Sequence, residues 1–335
     1  MPGSRTPQRV RALRELGHAV DPVSTNRPGR TFEDPPTLIE RLRHRLRCPH
    51  DEAGANPALL AAVRRGCDLI WVENARTVTP PTLAAAKRLA PSAPLVWYSE
   101  DDMMNPRLGS LWIDRSLQLF DLWVTTKSFN ARPEEMPARG VRRVLFIDNS
   151  YDPAIHRRMD LSTDERAIFG GDIAFVGTYE TPRAKSLLHL ARAGLSVRVW
   201  GNGWTRLVGV ESGLRVEGRP VYDDDYARTV NATRINLAFL RKANRDLQTC
   251  RTVEIPACGG FMLHERSPEA ERLFAPDREA AYFNSDEELV AACRHWLAND
   301  AQRRAVAEAA WCRAQAGYTH ADRMRTVLRA LNLAR

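Results

Sequence analysis

The sequence predicts an α/β protein built from two doubly wound domains, each a parallel sheet with helices on both faces. Three observations lead there. The chain has 335 residues, about two domains at roughly 150 residues apiece. Strand-like and helix-like segments alternate along most of its length, which calls for parallel sheets. The alternation lapses over residues 151–171 and then restarts, dividing the chain into 1–150 and 172–320 with a connection between them and a helical end, 321–335, that can cross back to the first domain.

In the first half, "PQRVRALRELGHAV" reads as helix then strand. "CDLIWVEN" is a buried strand and "PPTLAAAKRLA" a helix with proline in its first turn. "APLVWYSE" is a strand, "LGSLWIDRSLQLF" a helix, "DLWVTTK" a strand, and "VRRVLFIDN" closes the half. The stretch "SYDPAIHRRMDLSTDERAIFGG" lacks periodicity and is read as the connection. The second half runs from strand "DIAFVG" to helix "RAKSLLHLARAG", strands "LSVRVWG" and "LRVEG", and helix "DDDYARTVNAT". Strand "RINLAF", helix "LQTCRTVEIPAC" and strand "GFMLHE" follow, and residues 287–333 are helical.

The net charge of +8 suits an acidic partner, whether a phosphorylated substrate, a polyanion or a membrane surface. The plainest reading of Arg41, Arg43, Arg45 and Arg47 is a solvated basic helix face. No apolar run reaches the roughly 18 residues of a membrane span, and no apolar signal region opens the chain. Six scattered cysteines have neither CxxC nor zinc spacing, which predicts reduced thiols and a cytoplasmic setting.

Doubly wound sheets bind ligands beyond the carboxyl ends of their strands. That rule selects the loop after "DIAFVG", the loop after "VRVWG" and the helix start around Arg251. "FVGTYETPRAK" places Gly177 and Thr178 at a strand end and Arg183 at the next helix start, where backbone N–H groups and a guanidinium can hold an anion. Against this stands an ordinary turn with solvated bases. Gly201 and Gly203 in "VWGNGW" fit a tight turn as well as a ligand loop. Glu100, Asp101 and Asp102 follow a strand end, where a carboxylate can act as general base or simply cap a polar loop. Asp223, Asp224 and Asp225 resemble a metal-binding DxD, but acids at a helix start also cap N–H groups and complement the dipole. No metal site is expected. His156 and His264 are isolated and read as packed or surface histidines.

"DIAFVGTYETPR", "VWGNGW", "LQTCRTVEIPACGGFMLHE" and the tail from Asp277 resemble, in order, the CgeB-like (spore-maturation type) glycosyltransferases of bacterial type. The likeness covers roughly residues 170–330, and more loosely "GSRTPQRVRALRELGHAV", "YSEDD" and "FIDNSYDPAIH". It implies the GT-B fold, two Rossmann-like domains facing a cleft, and transfer of a sugar from a nucleotide-diphosphate donor to an unknown acceptor without metal or other cofactor. It implies that Glu254, ahead of Ala257-Cys258-Gly259, holds the donor ribose, as the second acid of an E-x7-E pair does in retaining relatives. Counting back gives Asp246 rather than Glu at the first position. Arg183 and Arg251 become diphosphate ligands, with Thr252 beside them, and Asp101, Asp102 and Asp246 the catalytic candidates.

The alternative is a non-catalytic protein of the same fold that binds nucleic acid or another polyanion, yet the bases lack interleaved aromatics and no nucleic-acid-binding motif is present. The fold implied by the resemblance also opens with an apolar strand, whereas "MPGSRTPQRV" is already turn and helix. The expectation is that Met1 is a misassigned start or a truncation, and that the first sheet lacks an inner strand.

Overall fold

The computed structural model describes residues 3–31 and 34–334. The chain divides into two compact units, Met1–Asp148 with Ala321–Arg335, and Asn149–His320.

The first unit contains α1 (Thr6–Glu15), α2 (Leu38–Arg45), α3 (Ala55–Arg64), β1 (Ile70–Glu73), α4 (Pro80–Leu89), β2 (Leu95–Ser99), α5 (Leu111–Asp114), β3 (Leu122–Thr125) and β4 (Val144–Phe146). The strands form one parallel sheet in the order β1-β2-β3-β4. Successive side chains of a strand face opposite ways, so β2 divides its apolar residues between two cores. Leu95 and Trp97 join Val63, Leu83, Ala86, Phe120 and Trp123 on one face. Val96 and Tyr98 join Ala12, Leu13 and the C-terminal residues Met324, Val327 and Leu328 on the other. Trp97 and Trp123 stack with centroids 5.1 Å apart. A strand covered on both faces reads as a continuous apolar run, which is why "LVWY" was legible.

Three local expectations change. Residues 18–20 form no strand. The helix expected over 108–120 is only α5 and a 3-10 turn, Leu117–Leu119. The four strands pair side by side with β1 at an edge, so no gap separates inner strands; Met1 lies outside the described residues.

The second unit contains α6 (Thr163–Phe169), β5 (Gly171–Val176), α7 (Thr181–Arg192), β6 (Val197–Trp200), β7 (Leu214–Val216), α8 (Asp223–Ala232), β8 (Thr233–Ala238), α9 (Cys250–Ala257), β9 (Met262–Glu265), α10 (Pro268–Leu273), β10 (Ala281–Phe283), α11 (Asp286–Ala298) and α12 (Asp300–Gln315). A last helix, α13 (His320–Ala330), runs on into the first unit. The segment read as a connection, 151–171, lies in the second unit and carries α6, whose capping box joins Ser162 and Glu165.

All six strands are parallel, in the order β10-β9-β8-β5-β6-β7. The chain winds outward from β5 to β7, returns to β8 on the other side of β5, and winds outward again. The topological switch therefore lies between β5 and β8, where such sheets leave a crevice at the strands' carboxyl ends. All six cysteines are unpaired. Among the described residues, no helix is long and apolar enough to cross a membrane.

Candidate functional site

The switch point gathers most of the residues selected from the sequence. β5 ends at Val176, and Gly177 to Glu180 form the loop into α7. That loop is held from below by the turn after β6. Trp204 Nε1 donates to the Gly177 carbonyl at 2.7 Å, and Tyr179 N–H donates to the Asn202 carbonyl at 2.9 Å. Gly201 has φ +140°, and a Cβ there would lie 2.1 Å from the Gly177 carbonyl oxygen. Gly203 has φ +84°, with Tyr179 Cβ 3.0 Å from where its own would be. Both glycines let two backbones touch, so the GxG turn positions the Gly177–Thr178 loop.

Arg183 rises from the first turn of α7 and is 7% exposed. Its Nη1 donates to the Thr178 carbonyl at 3.2 Å. Glu180 lies 3.7 Å from Nε, too far for a hydrogen bond, and that buried Nε has no hydrogen-bond partner. Burial pushes the guanidinium below its ordinary pKa, Glu180 opposes this, and nearby Arg241 adds to it. Arg241 follows β8 and donates to Glu180 at 3.2 Å. The result is a desolvated, incompletely compensated cation at a helix N-terminus, which favours an anion.

Asp246 lies in the same loop after β8. Its carboxylate accepts from Asn244 Nδ2 at 2.7 Å and from Arg241 N–H at 3.3 Å, and its charge acts on Arg183. α9 then begins after Thr249, whose carbonyl accepts from Thr252 N–H at 3.1 Å. Arg251 donates from Nε to the Val176 carbonyl at 3.1 Å. Its Nη1 donates to Glu254, and its guanidinium lies 4.2 Å from the Tyr226 ring centre. Glu254 is 1% exposed, and His156 Nε2 lies 3.7 Å from its other oxygen. Asp152 N–H donates to His156 Nδ1, which places the ring hydrogen on Nε2, toward Glu254. Glu254 is thus a buried carboxylate under an arginine anchored to the end of β5.

Thr252 serves the scaffold. Its hydroxyl accepts from Thr249 N–H at 3.0 Å and meets His264 Nε2 at 2.8 Å. His264 Nδ1 faces the Glu265 carbonyl at 2.5 Å, so Nδ1 carries the hydrogen and Nε2 accepts. Burial lowers the His264 pKa to about 4. The glycine pair after α9 is steric. Gly259 has φ +75°, and a Cβ on Gly260 would lie 2.5 Å from Val230.

Asp101 and Asp102 belong to the other unit. Asp102 is 2% exposed and accepts from Asn130 Nδ2 at 2.9 Å and Met104 N–H at 3.0 Å; it caps its own loop. Asp101 pairs with Arg76 at 3.2 Å. Glu100 pairs with Arg9 at 2.7 Å, and Arg9 also grips Glu73. The acids of α8 lie in its first turn but make no side-chain cap. Asp224 pairs with Arg157 at 2.9 Å, and Asp225 with Arg219 and Arg228 at 3.2 and 3.0 Å. Among the described residues no group of three His, Cys, Asp or Glu is placed to hold a metal ion.

Sequence reasoning missed Arg241, although its place after the strand at the switch point was a usable signal. It also missed His156 and Tyr226 beside Glu254 and Arg251, contacts between segments that no spacing rule connects.

Residues 183–329 match the family model described as Glycosyl transferase-like. No curated protein is similar enough in sequence to match. Among solved structures, Anabaena HepE in complex with UDP and glucose is 15% identical, with 82% of this chain and 81% of that one covered and a TM-score of 0.58. Sucrose-phosphate synthase from Thermosynechococcus elongatus is 14% identical over 86% and 81%, with a TM-score of 0.57. A glycosyltransferase from Rickettsia africae is 10% identical over 82% and 79%, with a TM-score of 0.61. These likenesses establish the shared GT-B fold.

Proposed function

We propose that this chain is a metal-independent, CgeB-like glycosyltransferase of the cytoplasm that takes its sugar from a nucleotide-diphosphate donor bound by the second unit. The observation that carries this reading is Arg183, buried at the start of α7 with its Nε unpartnered. A departing nucleoside diphosphate gathers negative charge on its phosphates. Fixed donors aimed at that charge in a desolvated site lower the barrier. Arg183 and the N–H groups opening α7 supply such donors, Arg241 flanks them, and Arg251 is the second guanidinium.

In this reading Glu254 accepts from the donor ribose. Gly177, Thr178, Gly201 and Gly203 shape the loop beneath the diphosphate, and Thr252 holds α9 in place. Asp246 contacts the donor sugar if transfer retains configuration, and Asp101 is the base if it inverts. Asp102, committed to its own loop, supports Asp101. The aspartates of α8 neutralise arginines rather than serve a cation. UDP is the first nucleotide to test, because HepE was solved with it.

The test is a panel of UDP-, GDP- and ADP-sugars incubated with the chain in EDTA, scored for released nucleoside diphosphate with wild type and Arg183→Met. Release from one donor, reduced in the variant, supports the reading. No release from any donor, together with equal binding of nucleosides and diphosphates, sinks it.

A further inference from the structure

The first unit carries a feature outside the proposed donor site. α2, "LIERLRHR", is closed by a capping box between Thr37 and Glu40 and buries none of its residues. Leu38, Ile39, Leu42 and Leu46 are 80%, 64%, 58% and 58% exposed, half of the large exposed apolar side chains among the described residues. At 3.6 residues per turn the four fall within an arc of about 100°. They form one stripe, the kind of grouped apolar exposure that marks an interaction surface.

The charges around the stripe identify its partner. On the same helical wheel Arg41 and Arg45 border one side and Arg43 the other. Glu40, the acid of the helix, lies away from the stripe and is occupied by Arg30 and the Thr37 cap. Arg41 and Arg45 are exposed. The helix is tied to its unit at its end, where Arg47 donates to the Pro106 carbonyl at 2.8 Å and pairs with Asp114 at 2.6 Å. A short apolar stripe bordered by arginines, on a chain of net charge +8, matches a helix lying in the plane of a bilayer. The leucines enter the headgroup boundary, and the arginine stems follow while their guanidiniums stay among the phosphates.

We propose that α2 docks this protein on an anionic lipid surface, with Leu38, Ile39, Leu42 and Leu46 as the inserted face and Arg41, Arg43 and Arg45 as the headgroup contacts. The inference is independent of donor binding, since it uses no residue of the second unit.

The experiment is co-sedimentation of the full chain with phosphatidylcholine vesicles, with and without phosphatidylglycerol, across a salt series. Wild type should sediment with the anionic vesicles only, and less as salt rises. Ile39→Asp/Leu42→Asp should lose at least tenfold in partitioning. Arg41→Ala/Arg45→Ala should lose about fivefold per arginine. The second pair keeps the test sharp should the first disturb folding, which circular dichroism would show. Failure to sediment with anionic vesicles at low salt overturns the proposal, as does wild-type binding by both variants. A dimer without vesicles that dissociates in Ile39→Asp/Leu42→Asp would also overturn it, assigning the face to a second copy of the chain.

Discussion

Arg251 lies one helical turn before Glu254, and donates from Nη1 to its carboxylate and from Nε to the carbonyl of Val176 at 3.1 Å. Glu254 is 1% exposed, while the Arg251 side chain keeps 25% of its surface. Removing one member of a buried pair strands the other, at roughly 3–5 kcal/mol for full burial. Partial exposure of Arg251 lowers that, so Glu254→Ala should cost roughly 2–3 kcal/mol in urea unfolding. Donor affinity should fall by about 10- to 150-fold. Wild-type stability and wild-type affinity together would show that the pair is idle.

His264 gives stability a pH signature. Its folded pKa is about 4, against roughly 6.5 in an unfolded chain. Between those values the unfolded state binds the additional proton, so stability falls as pH falls. The contribution is intact above about pH 6.5 and is lost progressively toward pH 4, at up to about 1.4 kcal/mol per pH unit. Unfolding of wild type and His264→Gln at pH 7 and pH 5 checks this. The two should lose stability by different amounts on acidification, and parallel losses would contradict the assignment.

Gly201→Ala should disturb the site without touching a ligand. The new Cβ would meet the Gly177 carbonyl at 2.1 Å, in a backbone region that disfavours side chains. A strained backbone costs roughly 1–3 kcal/mol, and relief would displace the loop before Arg183. Diphosphate affinity should fall with stability. Unchanged values for both would mean that the two loops do not need their close approach.

Chelation should leave activity intact. Asp224 and Asp225 already face Arg157, Arg219 and Arg228. Activity abolished by EDTA and restored by Mn²⁺ would show that these acids serve a cation instead.

Residues with strong local causes were legible in the sequence. Apolar runs such as 95–98 and 173–176 declared buried parallel strands, and the rule that ligands gather at strand carboxyl ends led to Gly177, Arg183 and Arg251. Elements with weak periodicity were not. α10 is short and lies in a stretch, 266–276, that suggested no element, β10 is short and lies in the tail from Asp277, and "GHAV" has strand composition without a pairing partner in the structure. The GxG turn was recognised, but its purpose depends on Gly177, which lies on a different strand's loop. The surroundings of Glu254 depend on His156, 98 residues earlier (254 − 156), and only the folded chain brings them together.

The most direct test of the central claim is calorimetric titration of UDP and of uridine into wild type and Arg183→Met. Wild type should bind UDP well above uridine, and the variant should lose roughly 10- to 150-fold for UDP with little change for uridine. Because Arg183 is a desolvated cation with an unpartnered Nε, the variant should unfold no more easily than wild type without ligand. Equal UDP affinity in the two proteins, or no preference of wild type for UDP, GDP or ADP over the bare nucleosides, would contradict the diphosphate site.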